Sequence, residues 1–155
     1  MANFVSQELR TAMLKAYFNK DLPATTLYLR LFRSTAAFTE DTTLATLSGQ
    51  SHEQRGTGYA AKVLSHNVLA AGLGESDWTV TTVTNQGVRV TLKDQTWTTA
   101  EGVGWDDLQY AVLTDTNGFT GTILMVRDYG SGKTVTGIGA TVTVDNLYYQ
   151  INDIV

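Results

Sequence analysis

The chain has 155 residues, 43% of them hydrophobic and 17% charged, so it has the size of one domain and a composition well clear of disordered chains. A net charge of −4 gives no attraction toward a phosphate backbone, which argues against general nucleic-acid binding. The absence of cysteine excludes a disulfide framework, a thiol nucleophile and a thiolate metal site. No stretch approaches the roughly 18 apolar residues of a membrane span, and the first residues hold no uninterrupted apolar signal segment, so a soluble, unsecreted protein with no membrane partner is expected.

The polar residues are mostly hydroxyls: about two dozen threonines and 14 glycines stand against one proline. Threonine is stiff at χ1 and suits a pleated surface, which favours strands. Charge is unevenly placed. Arg10, Lys15, Lys20, Arg30 and Arg33 make the front of the chain basic, whereas Glu101, Asp106, Asp107, Asp115, Asp128, Asp145 and Asp153 make its end acidic. Two such ends can meet within one chain or between subunits.

In chain order, Val5, Leu9, Ala12, Met13, Ala16 and Tyr17 recur at helical spacing and predict an amphipathic helix over about residues 5–19, with Ser6 as its cap and Pro23 beyond its end. A β-domain over about 24–155 follows. Its first strand, Thr26 to Arg33, alternates Leu27, Leu29 and Leu31 with Tyr28, Arg30 and Phe32. Residues 34–57 are rich in Ser, Thr, Ala, Gly and Gln and read as a long surface loop. Extended segments are expected at 59–64, 78–83 and 88–92, the last two joined by the Asn85-Gln86-Gly87 turn. Further strands are expected from Trp97, over 108–114 and over 123–126. Turns are expected at Asn117-Gly118 and over Tyr129-Gly130-Ser131-Gly132, and the last strands at 134–136, 140–144 and 146–151. One helix followed by seven or eight short strands predicts a mainly β protein, an antiparallel β-sandwich or jelly-roll-like domain.

No motif supports catalysis. Gly130-Ser131-Gly132-Lys133-Thr134 looks like the end of a P-loop, but the required upstream glycine is Arg127 and the following residues are β-like. Gly56-Thr57-Gly58-Tyr59-Ala60-Ala61 follows a polar stretch where a dinucleotide site needs an apolar strand. His52 and His66 lack partners at metal spacing, and Asp106 and Asp107 are neighbours that point apart in a strand. A non-enzymatic protein without metal or cofactor is therefore expected. Trp97, Trp105 and Tyr129 leave open a carbohydrate-binding module with an aromatic stacking platform.

The ordered landmarks carry a resemblance. A short helix precedes Leu-Tyr-Leu-Arg-Leu-Phe at 27–32, and a variable loop leads to Arg-Gly-Thr-Gly-Tyr-Ala-Ala-Lys at 55–62. Leu-Gln-Tyr-Ala-Val-Leu-Thr-Asp follows at 108–115, then Thr-Gly-Thr-Ile-Leu-Met-Val at 120–126 and a closing Ala-Thr-Val-Thr-Val. Together they resemble the small virion proteins of tailed bacteriophages, similar to capsid decoration (cement) proteins or to neck, tail and fibre-attachment proteins. The basic residue after the Tyr59 segment falls one place late, at Lys62, and the insert from Glu101 to Asp107 has no counterpart in the group. The resemblance implies a structural protein of the virion, assembled in the host bacterial cytoplasm. It also implies a homo-oligomer, a trimer, which contacts the major capsid protein or other virion proteins. Contacts are expected through the basic N-terminal region, the 34–57 loop and the C-terminal aromatics, at Arg10, Lys15, Tyr17, Arg30, Arg33, Phe38, His52, Arg55, Tyr148 and Tyr149.

Overall fold

The computed structural model describes residues 4–5, 26–48, 52–64, 77–83, 87–100, 102 and 104–151. It is mainly β. The strands are β1 (Phe4–Val5), β2 (Leu27–Arg33), β3 (Lys62–Leu64), β4 (Trp78–Val83), β5 (Gly87–Leu92), β6 (Gln95–Thr98), β7 (Trp105–Thr114), β8 (Ile123–Val135), β9 (Thr141–Val144) and β10 (Tyr148–Ile151). They form a five-stranded sheet of order β1-β8-β7-β2-β3, a three-stranded sheet β10-β5-β4 and a two-stranded sheet β6-β9. Every pairing is antiparallel. Of the expected helix, Val5 lies in β1 and the remaining residues fall outside those described.

The large sheet is buried on both faces, and the alternation in its strands sorts the two sides. Leu29 and Leu31 of β2, with Ala111 and Leu113 of β7, join Leu92, Trp97, Val144 and Leu147 in one apolar cluster that draws on all three sheets. Phe32, Tyr110, Val112, Ile123 and Val126 point the other way. There they meet Ala36, Phe38, Leu44 and Leu47, all from the segment after β2. Phe38 stands edge-on to both Phe32 and Tyr110, with centroids 5.3 and 5.0 Å apart, the geometry that opposes a positive ring edge to a negative face.

This corrects the reading of 34–57 as a surface loop. The segment contains two 3-10 turns, Ser34–Ala36 and Ala45–Leu47, and returns along β2 at residues 52–54. There Arg33 N–H donates to His52 O at 2.7 Å and Gln54 N–H donates to Leu31 O at 2.9 Å. Its apolar anchors are few and widely spaced, so no periodicity announces them, yet each one is inside. A second correction concerns 129–132. The Asp128 carboxylate does accept the Gly130 N–H at 2.7 Å in a local turn, and Gly130 takes φ of +81°. β8 nevertheless continues through it to Val135, because the extra residues bulge out while Lys133 and Val135 resume pairing with Leu108 and Trp105. The same irregularity starts β7 at Trp105, earlier than the expected Leu108.

Because Leu44 packs like a sheet residue, Leu44→Ala is expected to lower stability by roughly 2–5 kcal/mol, the cost of a core cavity. A urea titration of the two proteins reads this directly. A change within a few tenths of a kcal/mol would mean that the segment is not packed on the sheet.

Candidate functional site

One of the two basic residues of β2 that were expected at a contact surface lies inside. Arg30 is 0% exposed and forms a two-pronged pair with Glu53, Nε to Oε1 at 2.9 Å and Nη2 to Oε2 at 2.5 Å. Its Nη1 donates to Gly118 O at 2.7 Å. The guanidinium also sits near the Phe32 and Phe119 rings, 5.3 and 4.8 Å from their centroids. One side chain thus joins β2, the returning 52–54 segment and the β7–β8 connection. A buried cation without these partners would be strongly unfavourable, and the fork geometry of arginine is what satisfies it.

Tyr59 completes the network from the other side. Its hydroxyl donates to Glu53 Oε1 at 2.9 Å and accepts the Leu31 N–H at 3.0 Å. Leu31 lies on the outer side of β2, between its pairings with β3 and with 52–54, so the phenol covers a backbone donor that neither segment reaches. Burial, and next the Glu53 carboxylate, push the Tyr59 phenol far above its ordinary value.

The other expected contact residues are dispersed. Arg10, Lys15 and Tyr17 lie outside the described residues. Phe38 is a core residue, so it belongs to the interior and not to a contact surface. Arg33 is half-buried, with Nε and Nη2 each 3.4 Å from Gln54 Oε1, and His52 Nδ1 shares a hydrogen bond with Thr35 Oγ1 at 3.1 Å. Arg55 is exposed. Tyr148 is 44% exposed, with the Arg89 guanidinium 4.4 Å from its ring centroid. Tyr149 pairs with Val90 in the ladder.

The aromatic platform is corrected likewise. Trp97 and Trp105 are both buried: Trp97 Nε1 donates to Ala60 O at 2.7 Å, and Trp105 packs edge-on to Tyr59 at 5.9 Å. Neither can stack on a sugar. Asp106 is exposed. Asp107, at φ of +58° on the β7 bulge, accepts a hydrogen bond from Ser34 Oγ and lies against Gly132. The two carboxylates therefore serve different surroundings. The described residues contain no group of three His, Cys, Asp or Glu able to hold a metal ion, and no helix among them is long and apolar enough to cross a membrane.

A cleft of about 340 Å³ opens between β9 and the β7–β8 arm. Leu108, Tyr129, Val135 and Val142 supply apolar wall, and Gln109, Lys133 and Asp145 supply polar groups. Burial raises the Tyr129 phenol, with Asp145 next among the causes. The Asp145 backbone lies beside that hydroxyl without completing a hydrogen bond of ordinary geometry. Of this cleft the sequence marked only Tyr129, since its residues come from strands that are neighbours only in the fold.

Arg30→Ala strips Glu53 of its partner and is expected to cost about 3–5 kcal/mol in chemical denaturation. Tyr59→Phe leaves Leu31 N–H and Glu53 short of one hydrogen bond each and is expected to cost about 1–3 kcal/mol at neutral pH. Because the folded-state phenol is raised, its share of stability is full below about pH 10, where an unfolded tyrosine begins to ionise, and is lost as pH rises further. Stability measured between pH 8 and 11 is therefore expected to fall less steeply in Tyr59→Phe than in the parent; equal slopes would show that Tyr59 is not raised.

No family model, curated protein or solved structure matches this chain.

Proposed function

We propose that this protein is a non-enzymatic structural component of a tailed-bacteriophage virion, a capsid decoration protein that self-associates and binds between major capsid subunits. The observation that carries the reading is where the resembling segments lie. Leu27–Phe32, Leu108–Asp115 and Thr120–Val126 fall on or beside β2, β7 and β8, three adjacent strands of the large sheet, and the 55–62 segment delivers Tyr59 to the edge of that sheet. The matching stretches thus form one structural unit. In this reading the large sheet and the two smaller ones are the layers of a β-sandwich of jelly-roll type, with the three-sheet cluster between them.

The surface suits the role. Thr96 and Thr98 on β6, with Thr141 and Thr143 on β9, are all exposed, and Thr96 and Thr143 share a hydrogen bond at 2.9 Å. A face of short, stiff hydroxyl side chains loses little side-chain entropy on contact, and repeated contact by an oligomer strengthens weak single ones. The carbohydrate-binding alternative loses support, because two of its three proposed stacking residues are in the core.

Heads assembled without this protein are expected to bind the purified chain over their whole surface and to resist heat or chaotrope better afterwards, as binding to the assembled state requires. Electron microscopy of decorated heads reads the position. Density confined to the neck, tail or fibres would move the protein to that part of the virion, and no binding to any virion part would end the proposal.

A further inference from the structure

Among the described residues β9 has one strand partner, β6, and the ladder determines what its other edge presents. Thr99 donates its N–H to Ala140 O and accepts the Gly139 N–H, both at 2.9 Å. Antiparallel alternation then turns the backbone of Val142 and Val144 toward Trp97 and Gln95, and that of Thr141, Thr143 and Asp145 outward. The short Thr96–Thr143 hydroxyl contact fits, since side chains approach most closely at the pairs that do not exchange backbone bonds. The cleft borders this edge. Five consecutive residues, Thr141 to Asp145, line it, whereas one face of a strand would present only alternate residues. The cleft therefore opens on the edge of β9 and not on one of its faces alone. The strand reads Thr-Val-Thr-Val and carries no lysine, proline or bulge of the kind that blocks exposed edges.

We propose that a second copy of this chain adds antiparallel across the β9 edge, about a two-fold axis through Thr143, and so joins two β6-β9 sheets into one. Self-complementarity selects this occupant. Thr143 exchanges N–H and C=O with the partner's Thr143, and the Thr141 N–H donates to the carbonyl of the partner's Asp145. The Asp145 N–H, which in the single chain faces the Tyr129 hydroxyl without a completed hydrogen bond, takes the carbonyl of the partner's Thr141 as the second bond of that pair. The cleft holds one cation and one anion, Lys133 and Asp145, so two copies meeting there do not oppose like charges. Among the described residues, Ile138 at 77% and Tyr148 at 44% are two of the three large hydrophobic side chains left exposed. They flank β9, where an antiparallel two-fold puts Ile138 of each copy at the same end as Tyr148 of the other. The inference rests on the self-association in the virion reading and specifies a two-fold contact where the resemblance implies a trimer.

The cysteine-free chain permits a register-specific test with Thr143→Cys, Thr141→Cys and Thr98→Cys, one at a time. Directly opposed residues of a hydrogen-bonded pair lie about 5.5 Å apart at Cα, within disulfide reach. In this register the thiol of Thr141→Cys faces the partner's Asp145 and lies roughly 14 Å from its own mate, and the thiol of Thr98→Cys is on the inner strand. Under mild oxidation Thr143→Cys is expected to form disulfide dimers about tenfold or more faster than either control, and the parent is expected to sediment as a dimer. Equal cross-linking of the three variants with native circular dichroism, no cross-linking at 143, or a parent monomeric at all concentrations overturns the two-fold contact. Head binding, measured under reducing conditions, is scored separately: binding without dimers removes only the two-fold, and dimers without binding remove only the virion role.

Discussion

The described fold depends on a single buried cation. Arg30 sits in the second strand of the sheet with no exposure to water, and its charge can be there only because Glu53, Gly118 and two phenyl rings come to it. Those partners fix three things together. The segment after β2 must fold back so that Glu53 reaches the guanidinium. The β7–β8 connection must present a carbonyl, and Tyr59 must stand over the outer side of β2 to share the carboxylate. An apolar residue at position 30 would tolerate many loop arrangements, whereas a charge with directional donors tolerates few.

The strands were legible wherever period-two alternation met β-branched residues. β2, β4, β5, β7 and β9 lie within a few residues of their expected places, because a pleat sorts side chains by parity and the sequence records parity directly. Bends were harder. Gly-Ser-Gly at 130–132 has the chemistry of a turn and does make one locally, but whether a chain leaves the sheet afterwards depends on the partner strand, and β7 supplies residues to take it back. The 34–57 segment failed for another reason: Phe38, Leu44 and Leu47 fit no period, so only the tertiary structure reveals that they cover the second face of the sheet.

The candidate site was less legible than the fold. Reading charge and aromaticity as contact surface placed Arg30 and Phe38 outside, and both are interior; Trp97 and Trp105, stacking residues only in the carbohydrate alternative, are interior too, Trp105 as a core anchor in keeping with its preferred reading. A one-dimensional pattern cannot tell a lone arginine in an apolar strand from a surface cation, because the difference is a carboxylate 23 residues away. In the other direction, the β9 edge and its cleft combine backbone groups and side chains from separate strands. Threonine alternating with valine is equally suited to a paired and an unpaired strand, so only the sheet order distinguishes them.

The pairing of β1 with β8 sets an order of events during synthesis. Phe4 and Val5 lie opposite Val126 and Met125, so β1 leaves the ribosome about 120 residues, on the order of ten seconds at ordinary elongation rates, before the strand that holds it. β2 waits a shorter stretch, about 80 residues, for β7. The large sheet therefore cannot grow strand by strand in chain order; it is completed only once β7 and β8 are out. A ribosome that stops short of β7 releases a chain in which β1 has no partner and β2 has only the short β3, and such chains are the ones a cell must keep from aggregating.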